Sequence, residues 1–424
     1  MSPVTTRKLF RNARIYTPCD NGFPLAGEAQ GSLQVFENGA LLVENGIILS
    51  VGDEKDVALH AASLEIHEEV DCRGRCMIPG FVDPHTHICF AETREEEFSM
   101  RLSGIPYLEI LRRGGGILSS VRSLRAMDAT TLFEVTRKNV LSALSFGTTT
   151  MEIKTGYGLD TENELKMLEV IRRIQSETPL DVVPTFMGAH AIPPEYKGRE
   201  EIFVDYLVEE MLPAVASRKI AAFCDVFCEK GVFSVDQSRR ILKKAHELGM
   251  GMKIHADEVH DLGGAGLAAE LEAVSAEHLL AANETNLAKM AQKGTLAVLL
   301  PCTAYSLKKP FANARKMIEL NLPVAVATDC NPGSCFCESM PFVFGLSVMH
   351  MDMTVEETLV AATLNAAYAI GKNTLVGSLQ KGKRSDFLLL KGKSPAIFAY
   401  HAGVSPIEEI YIRGERMYPP CQGR

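Results

Sequence analysis

Eight apolar runs of strand length fill the middle of this chain, with segments of helical period between them, and they restrict its fold more than any other feature. The runs cover residues 81–87, 148–154, 182–190, 223–229, 252–258, 273–278, 295–301 and 323–329. Intervening segments such as ATTLFEVTRKNVLSALSFG, ENELKMLEVIRRIQSE and VDQSRRILKKAHELG carry apolar residues at i, i+3, i+4 and i+7, the signature of amphipathic helices. Parallel strands need a crossover between neighbours, usually a helix. The pattern therefore predicts an α/β fold, a (β/α)₈ TIM-like barrel. A doubly wound open sheet shares the alternation but leaves unexplained what stands at the strand ends.

The two chain ends read differently. KLFRNARIYTP, GALLVENGIILSVG and EEVDCRGRCMIPG near the start, and VGSLQKGKRSDFLLLKG and IEEIYIRGERMYPP near the finish, alternate apolar and polar residues between Asn-Gly and Gly turns. They predict a small β-sandwich domain built from both ends, residues 1–78 and 376–424, around a barrel domain of residues 79–375. A length of 424 residues accommodates both.

Composition narrows the function classes. The net charge of −9 and the absence of tryptophan argue against a nucleic-acid partner, which calls for clustered cations and stacking surfaces. No run of about 18 apolar residues offers a membrane span. The start, MSPVTTRKLFRNARIY, lacks the apolar stretch of a signal peptide, and 11 scattered cysteines fit reduced thiols. A cytoplasmic setting is the expectation.

Chemistry in a barrel of this kind collects at the carboxyl ends of the strands. Here those ends carry His85 and His87, Lys154, His190, Glu229, His255 with Glu258, His278, and Asp329. Chance would not bring five of 11 histidines to such positions. His85-Thr86-His87 is the sharpest element, because residues i and i+2 of a strand share a face and both imidazoles then enter the barrel mouth. Such a pair suits Zn²⁺ or Fe²⁺. An isolated H-x-H is as often two loop histidines, but this one follows MIPGFVDP and is joined by His255 in GMKIHADE and Asp329 in PVAVATDCNPG. Together they predict a cation site with a position left open for water, which the metal acidifies. Glu258 and His278 are candidates for proton transfer and oxyanion stabilisation. Taken alone, the first reads equally as a solvated carboxylate and the second as a core histidine.

The run IPGFVDPHTH, the KIHADE histidine and Asp329 resemble the amidohydrolase superfamily. Within it, HICFAETREEEF, GGGI, EIKTGYGLD, FMGAHAIP, DVFCEKGVF, HADEVHDLGGAGLAAELEAVSAEHL and DCNPGS closely resemble the imidazolonepropionase family, over residues 75 to 375 and into the β-rich flanks. The resemblance implies hydrolysis of 4-imidazolone-5-propanoate to N-formimidoyl-L-glutamate, a step of histidine degradation, by metal-activated water. It implies His85, His87, His255 and Asp329 as ligands of zinc or iron, with Glu258, His278 and Asp329 catalytic. It implies substrate contacts from Arg94, Tyr157, His190, Glu258, Asn331, Gly333 and Ser334, and a homodimer. Arg94 would meet the propionate carboxylate, a task for its guanidinium fork, although beside three glutamates it also reads as a surface ion pair. Gly333 also reads as a simple turn residue.

Binuclear members of the superfamily bridge two metals with a carboxylated lysine on the fourth strand. Here that strand ends in Glu229 with Lys230 beyond it, and Lys154 ends the second strand, so one metal per chain is expected. Cys302, Cys330, Cys335 and Cys337 depart from the family pattern and read as small buried side chains rather than reactive thiols. The alternative enzyme is another cyclic amidohydrolase or a ring aminohydrolase, which would not need Arg94, Tyr157 and Asn331 together. A scaffold that had lost its chemistry is the alternative outside enzymes, and the intact ligand set argues against it.

Overall fold

Each of the eight apolar runs forms a strand in the computed structural model, which describes residues 5–418; the outermost parts of the expected composite domain, 1–4 and 419–424, lie outside the described residues. We number the barrel strands β1 (Phe81–Asp83), β2 (Thr148–Lys154), β3 (Asp181–Ala189), β4 (Phe223–Cys228), β5 (Gly251–Ala256), β6 (Ser275–His278), β7 (Leu296–Leu299) and β8 (Val324–Val326). They pair in sequential order, every neighbour parallel. Helices return the chain between most of them. Ala129–Ser145 starts on Asp128, whose side chain accepts from Thr130 and Thr131 N–H, and Val235–Glu247 starts on a reciprocal Ser234–Gln237 capping box. Outward strand residues such as Met151, Ile153, Val226 and Ile254 share one buried cluster with Val140 and Leu242 of these helices and with Met167 and Ile171 of the helix Thr161–Glu177.

Several runs stop short of their expected ends. β1 halts at Asp83 because Pro84 has no N–H to donate. Pro301 opens the helix Pro301–Leu307 instead of closing β7, a position where its missing N–H costs nothing. Consequently His85, His87 and Asp329 stand on chain just beyond regular strand. The ring is closed there: Thr86 bridges Cys330, His87 N–H donates to the Cys330 carbonyl at 2.9 Å, and Asp329 N–H donates to the His85 carbonyl at 3.1 Å.

The chain ends meet as expected, in a second, mixed sheet. Its order is Glu415–Tyr418, Ile407–Ile412, Phe387–Leu390, Cys76–Pro79, Arg7–Pro18, Leu33–Glu44, Ile47–Asp53, with Glu68–Asp71 also on Arg7–Pro18. Cys76–Pro79 is the seam, antiparallel to Phe387–Leu390 and parallel to Arg7–Pro18. Phe10 packs edge-on to Phe387 at 4.9 Å, and Phe387 stacks on Tyr411 at 4.5 Å, so N- and C-terminal strands share one core. The Asn45-Gly46 turn between two of the strands has φ of 51° and 81°, the left-handed pair that a two-residue hairpin needs. One residue, Gly80, separates this sheet from β1.

Candidate active site

Closure of the barrel brings together residues far apart in sequence. His85 Nε2 lies 3.4 Å and His87 Nε2 3.7 Å from Asp329 Oδ1, and His87 Nε2 is 3.1 Å from His255 Nε2. Asp83 steadies the junction by accepting from Thr328 N–H at 3.1 Å and Thr328 Oγ1 at 2.6 Å. Asp329 adopts φ of 54° and His278 φ of 71°, left-handed conformations uncommon for non-glycine residues. The second oxygen of Asp329 accepts from Thr303 Oγ1 at 2.5 Å. Thr303 enters from the helix after β7, the one strand for which sequence offered no chemical residue.

These groups fit a divalent cation. Burial pushes His85 and His87 well below the ordinary imidazole range and His255 to about 3, so all three stay neutral with a lone pair available. Burial raises Asp329 to about 6, a shift that a nearby cation reverses. His255 Nδ1 lies 3.0 Å from Asp225 Oδ2, so its proton sits on that side and Nε2 faces His87 as an acceptor. Two nitrogens bound tetrahedrally at about 2.0–2.1 Å stand roughly 3.3 Å apart. The 3.1–3.7 Å separations match that spacing. Both ring nitrogens of His85 lack a hydrogen-bond partner although the residue is fully buried.

Beneath this set the barrel interior holds charges of which the sequence reading singled out only Lys154. Lys154 Nζ lies 2.7 Å from both Glu152 Oε2 and Asp225 Oδ2, and Lys253 Nζ lies 3.3 Å from Glu152 Oε1 and Glu277 Oε1. All five residues are inaccessible to solvent. Burial opposes the charge of Asp225, yet His255 and Lys154 outweigh it and hold this carboxyl well below its usual range. Burial wins at Glu277, which rises to about 8 despite Lys154 and Lys253. A signal for them existed: an ionisable residue inside an apolar, buried strand must find a partner. Thr303 carried no such signal.

The other expected residues surround the mouth. His278 Nε2 is 3.8 Å from Glu258 Oε2, and the His278 ring lies 5.2 Å from His255. His190 stacks on His87 at 4.8 Å, donates Nδ1–H to the Gly156 carbonyl at 3.0 Å, and lies 5.4 Å from Tyr157. Burial lowers His190 to about 4. Arg94 gives Nε and Nη2 to Glu97 at 3.0 and 2.6 Å, and its Nη1 lies against Gly333, where a Cβ would stand 2.4 Å from it. Asn331 is occupied within its own loop: Nδ2 donates to the Asp329 carbonyl and Ser334 Oγ, and Oδ1 accepts from Gly333 and Ser334 N–H. Its geometry is that of a loop organiser. Glu229 likewise holds the loop beyond β5, accepting from Val259 N–H at 2.9 Å and His260 Nδ1 at 2.9 Å. A groove of about 1150 Å³ is lined by Arg94, Gly333 and Ser334 together with apolar Phe98, Tyr305 and Phe336. None of His85, His87, His255 and Asp329 lines it. Cys302, Cys330 and Cys335 are buried, Cys337 is half-buried, and all four are free, in keeping with the expectation of packed thiols.

Comparison with known proteins places this geometry in context. Residues 76–417 match the amidohydrolase family. The chain is 62% identical over 412 residues to the imidazolonepropionase of Syntrophobacter fumaroxidans, covering 97% of each chain. It is 59% identical over 413 residues to that of Desulfotalea psychrophila, covering 97% of this chain and 100% of the other. Among solved structures, a zinc-bound adenosine deaminase from Xanthomonas campestris superimposes with a TM-score of 0.69 at 16% identity, covering 97% of this chain and 92% of that one. Escherichia coli guanine deaminase gives the same TM-score and identity, covering 97% and 99%. At that identity the likeness establishes the fold.

Proposed function

The chain belongs to the amidohydrolase family and, within it, to the imidazolonepropionases, and from this premise we propose that its site hydrolyses the ring amide of 4-imidazolone-5-propanoate to N-formimidoyl-L-glutamate, in histidine degradation. The observation that carries the reading is the convergence of His85, His87, His255 and Asp329, with the His87–His255, His85–Asp329 and His87–Asp329 atoms 3.1–3.7 Å apart, inside a chain so similar to those relatives. These four residues hold one divalent cation, zinc or iron, which when bound acidifies water toward a pKa of about 7 and polarises a carbonyl.

The chain's own residues do the rest. Asp329, with Oδ2 tied to Thr303, keeps Oδ1 toward the histidines and takes the proton of the water that adds to the ring carbonyl carbon. His278 stabilises the oxyanion at that carbon, and Glu258, 3.8 Å away, relays the proton to the departing ring nitrogen. Arg94 receives the propionate carboxylate. Glu97 holds two of its nitrogens and leaves Nη1 beside Gly333. Tyr157, buried, and His190, half-buried, lie next to His87 and hold the ring. Asn331 serves by shaping the loop that presents Gly333 and Ser334.

The same reading makes residues 79–375 the barrel domain and 1–78 with 376–424 the composite one, and gives a cytoplasmic homodimer. Freshly prepared imidazolone propionate, followed by loss of the ring chromophore, tests the function. Metal-replete protein should turn it over, and chelated protein should recover with added zinc or iron. Full activity after complete metal removal, or hydrolysis only of some other cyclic amide, overturns the assignment.

A further inference from the structure

One buried carboxylate takes no part in the chemistry above, yet it reaches the loop that carries Tyr157. Glu164 stands in the first turn of the helix Thr161–Glu177, which Asp160 caps by accepting the Asn163 N–H at 2.8 Å. Its side chain is inaccessible to solvent. Oε1 accepts from Gly158 N–H at 2.8 Å and Leu159 N–H at 2.9 Å, and Gly156 N–H reaches both oxygens, at 3.2 and 3.1 Å. The Thr155 hydroxyl bonds to it as well. A carboxylate is favoured near a helix N-terminus, but the helix itself needs none of these loop bonds.

The peptides held in this way lie on either side of Tyr157. Gly156 N–H and Gly158 N–H fix the backbone one residue before it and one after, and so the direction in which its side chain leaves. Leu159, next along, is held at φ of 55°, a left-handed conformation that costs free energy in any L-residue with a side chain. The carbonyl of Gly156 accepts from His190 Nδ1 at 3.0 Å, which leaves Nε2 of that ring as the acceptor. The approach is close: a Cβ on Gly156 would stand 2.8 Å from the same Nδ1. We infer that Glu164 is a positioning residue for the substrate pocket, its one carboxylate setting both the aim of Tyr157 and the orientation and tautomer of His190. The inference rests on the proposed function, in which those two side chains hold the substrate ring. These bonds go to Thr155, Gly156, Gly158 and Leu159 and none to a proposed metal ligand, so the effect falls on substrate binding.

The test compares metal-replete wild type with Glu164→Ala and Glu164→Gln. Alanine leaves three N–H groups without their acceptor; glutamine keeps the shape and one accepting oxygen. In Glu164→Ala, kcat/KM toward imidazolone propionate should fall about 100-fold, the scale for a group displaced by about 1 Å, mostly through KM and with metal content unchanged. Glu164→Gln should lose only about tenfold, because its NH₂ opposes the Gly156 N–H alone. Asp128→Ala, which removes the cap of the helix Ala129–Ser145, controls for stability: its melting temperature should drop while KM stays. A second readout needs no substrate. The imidazole N–H proton resonance of His190, assigned by its absence in His190→Gln, should vanish in Glu164→Ala and persist in Glu164→Gln. Persistence of that signal in folded Glu164→Ala overturns the inference. So does an unchanged KM there, provided that Tyr157→Phe or His190→Gln raises KM. If neither of those two raises it, the ring-holding reading is what fails, and the His190 signal alone decides the positioning role. Should Glu164→Ala not fold, Glu164→Gln decides, and a KM within about twofold of wild type counts against the proposal.

Discussion

Replacing Asp225 by Asn isolates the contribution of the carboxylate under the metal ligands. The two side chains have the same shape, so no cavity opens. In the native site Oδ1 accepts the His255 backbone N–H at 3.2 Å, while Oδ2 faces His255 Nδ1 at 3.0 Å and Lys154 Nζ at 2.7 Å. Every neighbour is a donor. An amide must turn its NH₂ toward one side or the other, and either choice sets donor against donor in a site closed to water. Breaking a buried ion pair from one side destabilises by about 3–5 kcal/mol. Loss of a carboxylate behind a metal-bound imidazole lowers metal affinity about 10–100-fold, or roughly 1.4–2.7 kcal/mol. Lys154 draws the amide oxygen to the Oδ2 position and the His255 N–H draws it to the Oδ1 position, and the effect on affinity should lie toward the upper end when the NH₂ takes the Oδ2 position and faces Nδ1. The assay is competition for Zn²⁺ against a chromogenic chelator, beside thermal melts of metal-free protein. Activity at saturating metal should recover far more than affinity does. A folded Asp225→Asn protein whose Zn²⁺ affinity stays within twofold of wild type would refute the claim that this carboxylate sets the His255 tautomer.

Other changes probe the rest of the site. Arg94→Lys keeps the charge but loses the fork that Glu97 aligns, so kcat/KM for the propionate substrate should fall about 10–100-fold, mostly through KM, with little change in melting temperature. Gly333→Ala places a methyl 2.4 Å from Arg94 Nη1 and displaces that side chain; steady-state kinetics should show KM rising with kcat less affected. Asp20 provides a pH test remote from the metal. Burial opposes its charge, but bonds from Lys383 Nζ at 2.6 Å, Gly22 N–H at 2.9 Å and Tyr368 Oη at 2.8 Å prevail and hold its carboxyl below the usual value. A depressed acid stabilises the fold above its unfolded pKa and loses that effect as pH falls through its folded pKa. The melting-temperature gap between wild type and Asp20→Asn should therefore be constant above about pH 5 and close below about pH 4.

Much of the site was legible because its signals are local. H-x-H, KIHADE and a lone Asp after an apolar run each announce a side chain at a strand end, and the barrel carries all strand ends to one face. Arg94 was legible as a guanidinium beside three glutamates, but its partner was not. The ion-pair reading of it holds, since Glu97 pairs with it, while contact with a propionate belongs to the proposed function. Asn331 shows the opposite limit. The family resemblance implied substrate contact for it, and the structure shows its amide bonded within its own loop.

Sequence alone determined the alternation of strand and helix, the folding together of the two ends and the residue types at each strand end, because periodicity and turn chemistry act over a few residues. Only tertiary structure decided that Asp225 stands under His255, that Lys154 reaches two carboxylates on different strands, and that Thr303 holds Asp329. Those pairings depend on which residues share a height around the closed ring. That height is set by the register between strands, where Asp225 aligns with Lys253 and His255 with Glu277. Register is a property of packed neighbours, and no single strand carries it.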